Sequence, residues 1–477
     1  MKLLQRTLLT ALAALSVFIM LGAGATPLQA SGGTSLEQRL TRLEKIADDA
    51  QNAGNPINSG DNAWILVSSA LVLMMTAPGL ILFYGGLVRG KNVLATMMHS
   101  LVLMGLVSML WMVFGYSLAF APGNAWVGNP LTYFMLNGVG GAPNPDYAAT
   151  VPQQSFMLFQ MMFAIITPAL ISGAVAERIK FKGYVLFVLL WITLVYFPLC
   201  HMVWGVGGYF NWALGGTIPV LDFAGGTVVH ISSGVSALVC AILLGRRAGY
   251  PHEPMMPHNV VLSLIGTGLL WVGWFGFNAG SALTAGTLAT SAFAATHFSA
   301  AAAALSWTLV EWLHKGRPSV LGAASGMVAG LATITPASGY VTIPAAFAIG
   351  LAGGGLCYLA VTKLKARFGY DDSLDVFGVH GVGSMIGMLM LGGLASAAVN
   401  PAIATTWKAN GVVQSLAGSL HQLGNQGVAV VFTALYAGIA TLILFKIVDA
   451  LVGLRVDVET ESIGLDLTQH GERAYSE

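Results

Sequence analysis

Charge is what this sequence has least of. Only 9% of its 477 residues are Asp, Glu, Lys or Arg, against about 25% in a soluble globular domain. None occurs from Pro254 to Val310 or from Pro318 to Thr362, windows that each hold two helices of bilayer-crossing length. With 56% hydrophobic residues, the chain is excluded from the soluble globular class and reads as an all-α polytopic membrane protein whose first partner is the lipid bilayer. The net charge of +1 implies no nucleic-acid partner. The three cysteines, Cys200, Cys240 and Cys357, fall in apolar stretches and read as small core residues, not as a disulfide framework or a zinc site. No His-Glu-x-x-His run is present, which weighs against an intramembrane metal hydrolase, and no cofactor is expected.

The N-terminus has Lys2 and Arg6, an apolar run from Leu8 to Leu21, and small residues at Ala23-Gly24-Ala25 and Ala30. This predicts a cleaved signal peptide over residues 1–30, an uncleaved anchor being the competing reading. Residues 31–61 then form an extension outside the membrane, where Leu36, Leu40, Leu43, Ala47 and Ala50 make a short heptad seam. Apolar segments near 64–88, 93–119, 156–176, 184–204, 223–244, 260–281, 288–310, 320–335, 342–362, 375–395 and 428–450 predict eleven crossings within residues 62–451, followed by a tail over 452–477. Five alternate loops hold twelve Lys and Arg residues, from Arg89 to Arg367, whereas the opposite set holds only Lys408. The positive-inside rule therefore puts the mature N-terminus outside and the tail in the cytoplasm.

The odd count also carries symmetry. Asp222 and His230 lie on the fifth span and Asp375 and His380 on the tenth, the last helix of each five-helix half. Five crossings reverse direction, so equivalent halves are inverted repeats, with the eleventh span added at the C-terminus. A titratable ring at membrane depth is costly and ordinarily faces a cavity, so the two histidines predict a shared pore lining. Phe159 and Phe163 share a face of span three, one turn or about 6 Å apart. Trp204 ends span four, and Phe277 lies one turn below Ser281 on span six. Phe159, Trp204 and Ser281 thus form an outer lip, with Phe163 and Phe277 beneath. An aromatic cup with a hydroxyl suits a small cation able to donate a hydrogen bond. Each ring taken singly is more often a packing residue. Asp222 is a cation ligand or a helix cap; the run Phe223-Ala224-Gly225-Gly226-Thr227 favours the cap, and Asp375 is expected to do the same at the other end.

These residues stand in blocks that resemble the ammonium transporter family. They are Phe83-Tyr84-Gly85-Gly86-Leu87-Val88-Arg89-Gly90-Lys91-Asn92, Gly173 to Arg178, Asp222 to His230, Gly273 to Ser281 and Asp375 to Gly381. The resemblance implies an eleven-helix protomer with a pore in the bacterial cell membrane, assembled as a homotrimer, that takes ammonium or ammonia as substrate. It maps an external ammonium site onto Phe159, Trp204 and Ser281, a gate onto Phe163 and Phe277, and the pore pair onto His230 and His380. The tail blocks Gly453-Leu454-Arg455-Val456, Gly464-Leu465-Asp466 and His470-Gly471-Glu472 resemble the family's cytoplasmic segment that packs under neighbouring subunits, which implies a PII-type signalling protein as partner. Ammonium would lose its proton near the gate and cross as ammonia. An ammonium sensor using the same pore is the alternative. Pro168 inside span three is expected to kink or loosen that helix.

Overall fold

The computed structural model describes residues 56–404, 407–409 and 412–475; the signal-peptide and heptad readings lie outside the described residues. Among these, eleven apolar helices follow in series: α1 Ser59–Leu87, α2 Gly90–Phe120, α3 Gln153–Val175, α4 Phe181–Trp204, α5 Gly226–Leu244, α6 Val260–Gly280, α7 Thr287–Lys315, α8 Val320–Ile334, α9 Ile343–Phe368, α10 Phe377–Leu394 and α11 Leu420–Val452. Ten are long and apolar enough to cross a membrane, and the shorter α8 completes the expected eleven. A short antiparallel hairpin, β1 Trp407–Ala409 with β2 Val412–Gln414, lies between α10 and α11. A further helix, α12 Val458–Ile463, sits in the tail.

Loop side chains set several helix starts. Asn58 accepts from Gly60 and Asp61 N–H, Asn259 from Leu262, Ser319 from Gly322 and Ser419 from Gln422, each satisfying a donor that the first turn leaves open. The apolar faces then choose their surroundings. Val72, Trp111, Trp191 and Phe277 are fully buried, whereas Leu309, Leu313, Val431 and Ile439 stand exposed along α7 and α11, as residues facing lipid or a neighbouring subunit must.

Packing follows the inverted repeat. Helix α1 packs on α6 and α5 on α10 across the centre, while α3 packs on α1 and α5 much as α8 packs on α6 and α10. Helix α11 lies outside this arrangement, against α5, α10 and α4. Backbone links repeat the relation: Phe223 N–H donates to Pro336 at the end of α8, and Ser373 N–H to Ala174 at the end of α3. We call the end bearing Arg89, Glu177, Arg247 and Asp371 the basic face.

Helix α3 runs without interruption through Pro168. The Thr167 hydroxyl donates to the Phe163 carbonyl at 2.6 Å. π-helical turns interrupt α1 at Met75–Leu80, around Pro78, α2 at Trp111–Gly115, α4 at Ile192–Tyr196 and α9 at Ala360–Leu364, and open both histidine-bearing helices, at Gly226–Ile231 and Phe377–Gly381. Such turns concentrate at functional sites. The three cysteines are free and buried.

Candidate functional site

The crossing of α5 and α10 fixes the centre of the site. Gly234, one turn beyond His230, lies against the backbone of Gly381, where any Cβ would collide, so the helices approach closely enough for their histidines to meet. The rings of His230 and His380 are 5.2 Å apart between centroids, nearly parallel at 14°, with Nδ1 to Nδ1 at 3.2 Å. Both are buried. A neutral imidazole carries one N–H, so this contact needs one ring to donate through Nδ1 and the other to accept. The pair then presents one bare Nε2 and one Nε2–H; the buried Nε2 of His230 has no hydrogen-bond partner among the described residues.

Trp274 covers His230 at 5.4 Å and Phe277 at 5.9 Å. A cavity of about 10 Å³ lies among these rings, His380, Phe83, Leu170 and Val328, at the lower limit for one water-sized molecule. Away from the basic face, Phe163 and Phe277 close it, with ring centroids 4.3 Å apart. Beyond them opens a wider cavity of about 210 Å³, lined by Phe163, Trp204, Ser281, Gln160, Asp146 and Tyr147 among others. Ser281 Oγ donates to the Phe277 carbonyl at 2.8 Å, leaving its lone pairs for a donor in the cavity. Trp204 is fixed by its indole N–H, 3.0 Å from the Asp222 carbonyl.

The structure brings Phe163, Trp204, Ser281, Phe277, His230 and His380 into one column. Phe159 is adjacent but does not line the wide cavity; it is fully buried behind Phe163, edge to face at 5.0 Å, and against Gly280. Asp222 is a cap. Its carboxylate accepts from Gly225, Gly226 and Thr227 N–H at 2.8, 2.6 and 2.8 Å and from the Thr227 hydroxyl at 2.5 Å, which occupies its four lone-pair sites.

Asp375 does not do the same. It has a left-handed backbone, a side chain 40% exposed and an ion pair with Lys365 at 2.7 Å. The cap of α10 is Asp372, buried, which accepts from Phe377 N–H at 2.8 Å. Asp372 stands eight residues before His380, as Asp222 stands eight before His230, and that matched spacing was the signal in the sequence. The second oxygen of Asp372 has no partner among the described residues. Burial pushes its carboxyl up to about 6. Nearby, burial of Asp371 and Glu177 is outweighed, by Arg247 and by Arg89 with Arg247 respectively, and both carboxyls are held below the usual range. Trp274, Gln160 and Asp146 were also missed; Trp274 is three residues before Phe277 on the same helix face, whereas the loop residue Asp146 carries no periodicity to find it by.

The tail crosses the basic face of its own protomer. Lys180 N–H donates to Leu454, Val456 to Arg178, Leu465 to the Asn92 side chain and Ala95 to Asp466, while Glu461 joins Arg455 at 2.9 Å to Ala248 N–H at 2.7 Å.

Two cavities separated by the tilted rings of Phe163 and Phe277, inside an inverted repeat of apolar helices, describe a multi-pass membrane transporter, not an enzyme. The chain matches the Ammonium Transporter Family over residues 63–475 and belongs to it. It is 48% identical over 418 residues to the ammonium transporter of Bacillus subtilis, covering 88% of this chain and 99% of that protein. It is 43% identical over 421 residues to ammonium transporter Amt1 of Archaeoglobus fulgidus, covering 88% and 100%. The crystal structure of Saccharomyces cerevisiae Mep2 superposes with a TM-score of 0.76 at 33% identity over 85% of this chain and 89% of that one. A structure titled Sensor Amt Protein gives 0.77 at 28% identity over 86% and 98%.

Proposed function

We propose that the wide cavity gathers ammonium from outside the cell, that the ion loses its proton at the Phe163–Phe277 pair, and that ammonia passes the histidines toward the basic, cytoplasmic face. The observation that carries this reading is the contrast between the cavities. The wide one offers the Trp204 and Phe163 rings with the Ser281 and Gln160 oxygens, whereas the inner one is apolar, closed, and sized for one small neutral molecule. Stripping water from an ion in such a place idealises to tens of kcal/mol, while a cation–π contact returns roughly 0.5–2 kcal/mol. The cup can gather the ion but cannot carry it through. Potassium has a similar size but no proton to lose, so the step also discriminates. The paired Nε2 groups suit ammonia, which both donates and accepts hydrogen bonds. Asp222 acts through structure, by capping α5 and holding Trp204, and Asp375 through its ion pair with Lys365.

The same reading places residues 1–30 as a signal peptide, 31–61 as a periplasmic extension, 62–451 as the transport domain and 452–477 as a cytoplasmic regulatory tail in the bacterial inner membrane. The exposed apolar faces fit a homotrimer. A PII-type protein fits the basic face, where the docked tail would report its arrival. That docking, with the likeness to the Sensor Amt Protein, favours a second reading in which the pore also signals.

The test is ion-resolved flux through purified protein in liposomes, with potassium as competitor. Ammonium-driven currents that ignore potassium are expected. His230→Ala or His380→Ala should lose or alter that selectivity while the protein remains folded, and Trp204→Ala should weaken ammonium dependence at the mouth. Parental currents and selectivity in both histidine variants would overturn the mechanism.

A further inference from the structure

His201, three residues before Trp204 near the end of α4, takes no part in the column described above. Its ring is completely buried. Nδ1 lies 3.0 Å from the Ala119 carbonyl and Nε2 lies 2.8 Å from the Asn124 carbonyl, both with N–H geometry. Carbonyl oxygens only accept. A neutral imidazole has one N–H, so either tautomer would aim a bare ring nitrogen at a carbonyl oxygen, repulsion in place of a bond. Only the doubly protonated ring satisfies both contacts.

We propose that His201 is a positioning residue for the ammonium cup, held as an imidazolium that bolts the end of α2 to the end of α4 behind the cavity wall. The bolt joins groups that shape the cup. Ala119 precedes Phe120, a cavity-lining residue whose carbonyl receives the Tyr147 hydroxyl at 2.6 Å. The His201 carbonyl accepts from Gly205, immediately after Trp204, at 2.8 Å. Gly205 must lie flat on the imidazole, since a Cβ there would strike Nδ1, and its own carbonyl receives the Asn211 side chain at 2.9 Å. Asn211 in turn lines the cavity. The segment that carries Trp204 past the end of α4 is therefore anchored through one ring.

Tyr147, from the loop before α3, bonds the Phe120 carbonyl and the Val206 N–H on either side of this bolt. The charge is met by two carbonyl dipoles, and losing it removes a contact with either α2 or the following loop.

This inference rests on reading the wide cavity as the capture site, but its first test does not. Cys200-His201 is the only Cys-His pair in the sequence. Full-length protein with carbonyl-labelled cysteine and carbon- and nitrogen-labelled histidine, in bilayers, assigns the ring by solid-state NMR without a variant. Both nitrogens should show the imidazolium signature at pH 7.5, where an exposed histidine is mostly neutral. A neutral-tautomer spectrum overturns the proposal. His201→Gln, which can donate to one carbonyl at most, should raise half-saturation for ammonium by roughly fivefold, the equivalent of one lost hydrogen bond, with maximal flux retained. An unchanged half-saturation in a folded variant overturns the positioning role. If the NMR result holds while Trp204→Ala leaves half-saturation untouched, the capture reading fails and the imidazolium assignment stands.

Discussion

Replacing Asp222 with asparagine separates a structural carboxylate from a cation ligand, and its partner Asp372 supplies the control. Asp222 receives two backbone donors on Oδ1 and a backbone donor with a hydroxyl on Oδ2, all buried. An amide keeps one oxygen. If that oxygen serves Gly225 and Gly226, an NH₂ group confronts Thr227 N–H, stranding a buried donor at about 1–3 kcal/mol, and the remaining bonds lose their charge assistance. The Thr227 hydroxyl can turn to accept, recovering part of this. The net cost should be about 2–4 kcal/mol. Asp372 accepts from Phe377 N–H on one oxygen, and its other oxygen has no hydrogen-bond partner among the described residues. Its asparagine keeps the useful oxygen and removes a charge whose burial costs the parent stability at pH 8, so Asp372→Asn should be no less stable than the parent there. The assay is unfolding of purified protein in detergent followed by tryptophan fluorescence, with ammonium half-saturation measured on the same preparations. If Asp222→Asn were as stable as the parent yet bound ammonium poorly, the cap argument would be refuted and the carboxylate would have to touch the cation.

Asp372 also sets a pH dependence. Burial raises its carboxyl from 3.8 to about 6, so between those values the folded state holds more protons than the unfolded chain and stability falls as pH rises, by about 3 kcal/mol, then levels. Asp371 and Glu177, held below the usual range, act in the opposite sense, losing stability as pH drops below about 4. Unfolding midpoints from pH 4 to pH 8 should show the decline in the parent and not in Asp372→Asn; a parallel decline in both would reject the assignment. At the tail, Glu461→Ala strands the Ala248 N–H and releases Arg455, a loss of about 2–3 kcal/mol that should make residues after Gly453 sensitive to limited proteolysis while the transmembrane region stays intact. Gly234→Ala should force α5 from α10 where they touch at Gly381; flux should drop at least tenfold with the protein still in the membrane, and parental flux would mean that the histidine contact is not required.

Much of this was legible in the sequence because the bilayer enforces simple rules. Long uncharged windows had to be helices, since unsatisfied backbone groups are intolerable in lipid, and each of the eleven expected spans has its helix. The histidines were legible because a titratable group inside such a window needs a reason. What escaped was set by contacts between distant segments. Asp375 sits nearer the helix start than Asp372, although only the spacing of eight residues matches the first half. Phe159 shares a face with Phe163 by periodicity, but Gly280 receives its ring and draws it away from the cavity. π-helical turns arise at Gly226 and Phe377, where no proline stands to announce them. The backbone partner of Trp204 lies in the next loop, beyond any local pattern.

The placement of these π-helical turns ties the fold to the site. A π turn spends an extra residue per turn and so rotates the succeeding residues relative to the α-helical frame. In α5 and α10 the turn includes the histidine itself, after a carboxylate that has fixed the start of the helix eight residues earlier. Each half therefore has the same three parts in the same order: an anchored start, a rotated ring, and a glycine-permitted crossing at Gly234 or Gly381. Inversion of the halves brings the rings in from opposite sides to meet with their Nδ1 atoms together, which directs both Nε2 atoms away from each other along the column. One Nδ1–H donated between two neutral rings leaves one Nε2–H and one bare Nε2 at successive levels, and exchanging them takes two proton moves, since shifting the shared proton alone would set an imidazolium against an imidazolate. A lone neutral histidine also carries one donor and one acceptor nitrogen, but on opposite edges of a single ring. On the proposed reading, what the second ring adds is separation: a neutral molecule able to give and take hydrogen bonds would meet an Nε2–H from one half and a bare Nε2 from the other at two successive levels, while no ion need be buried.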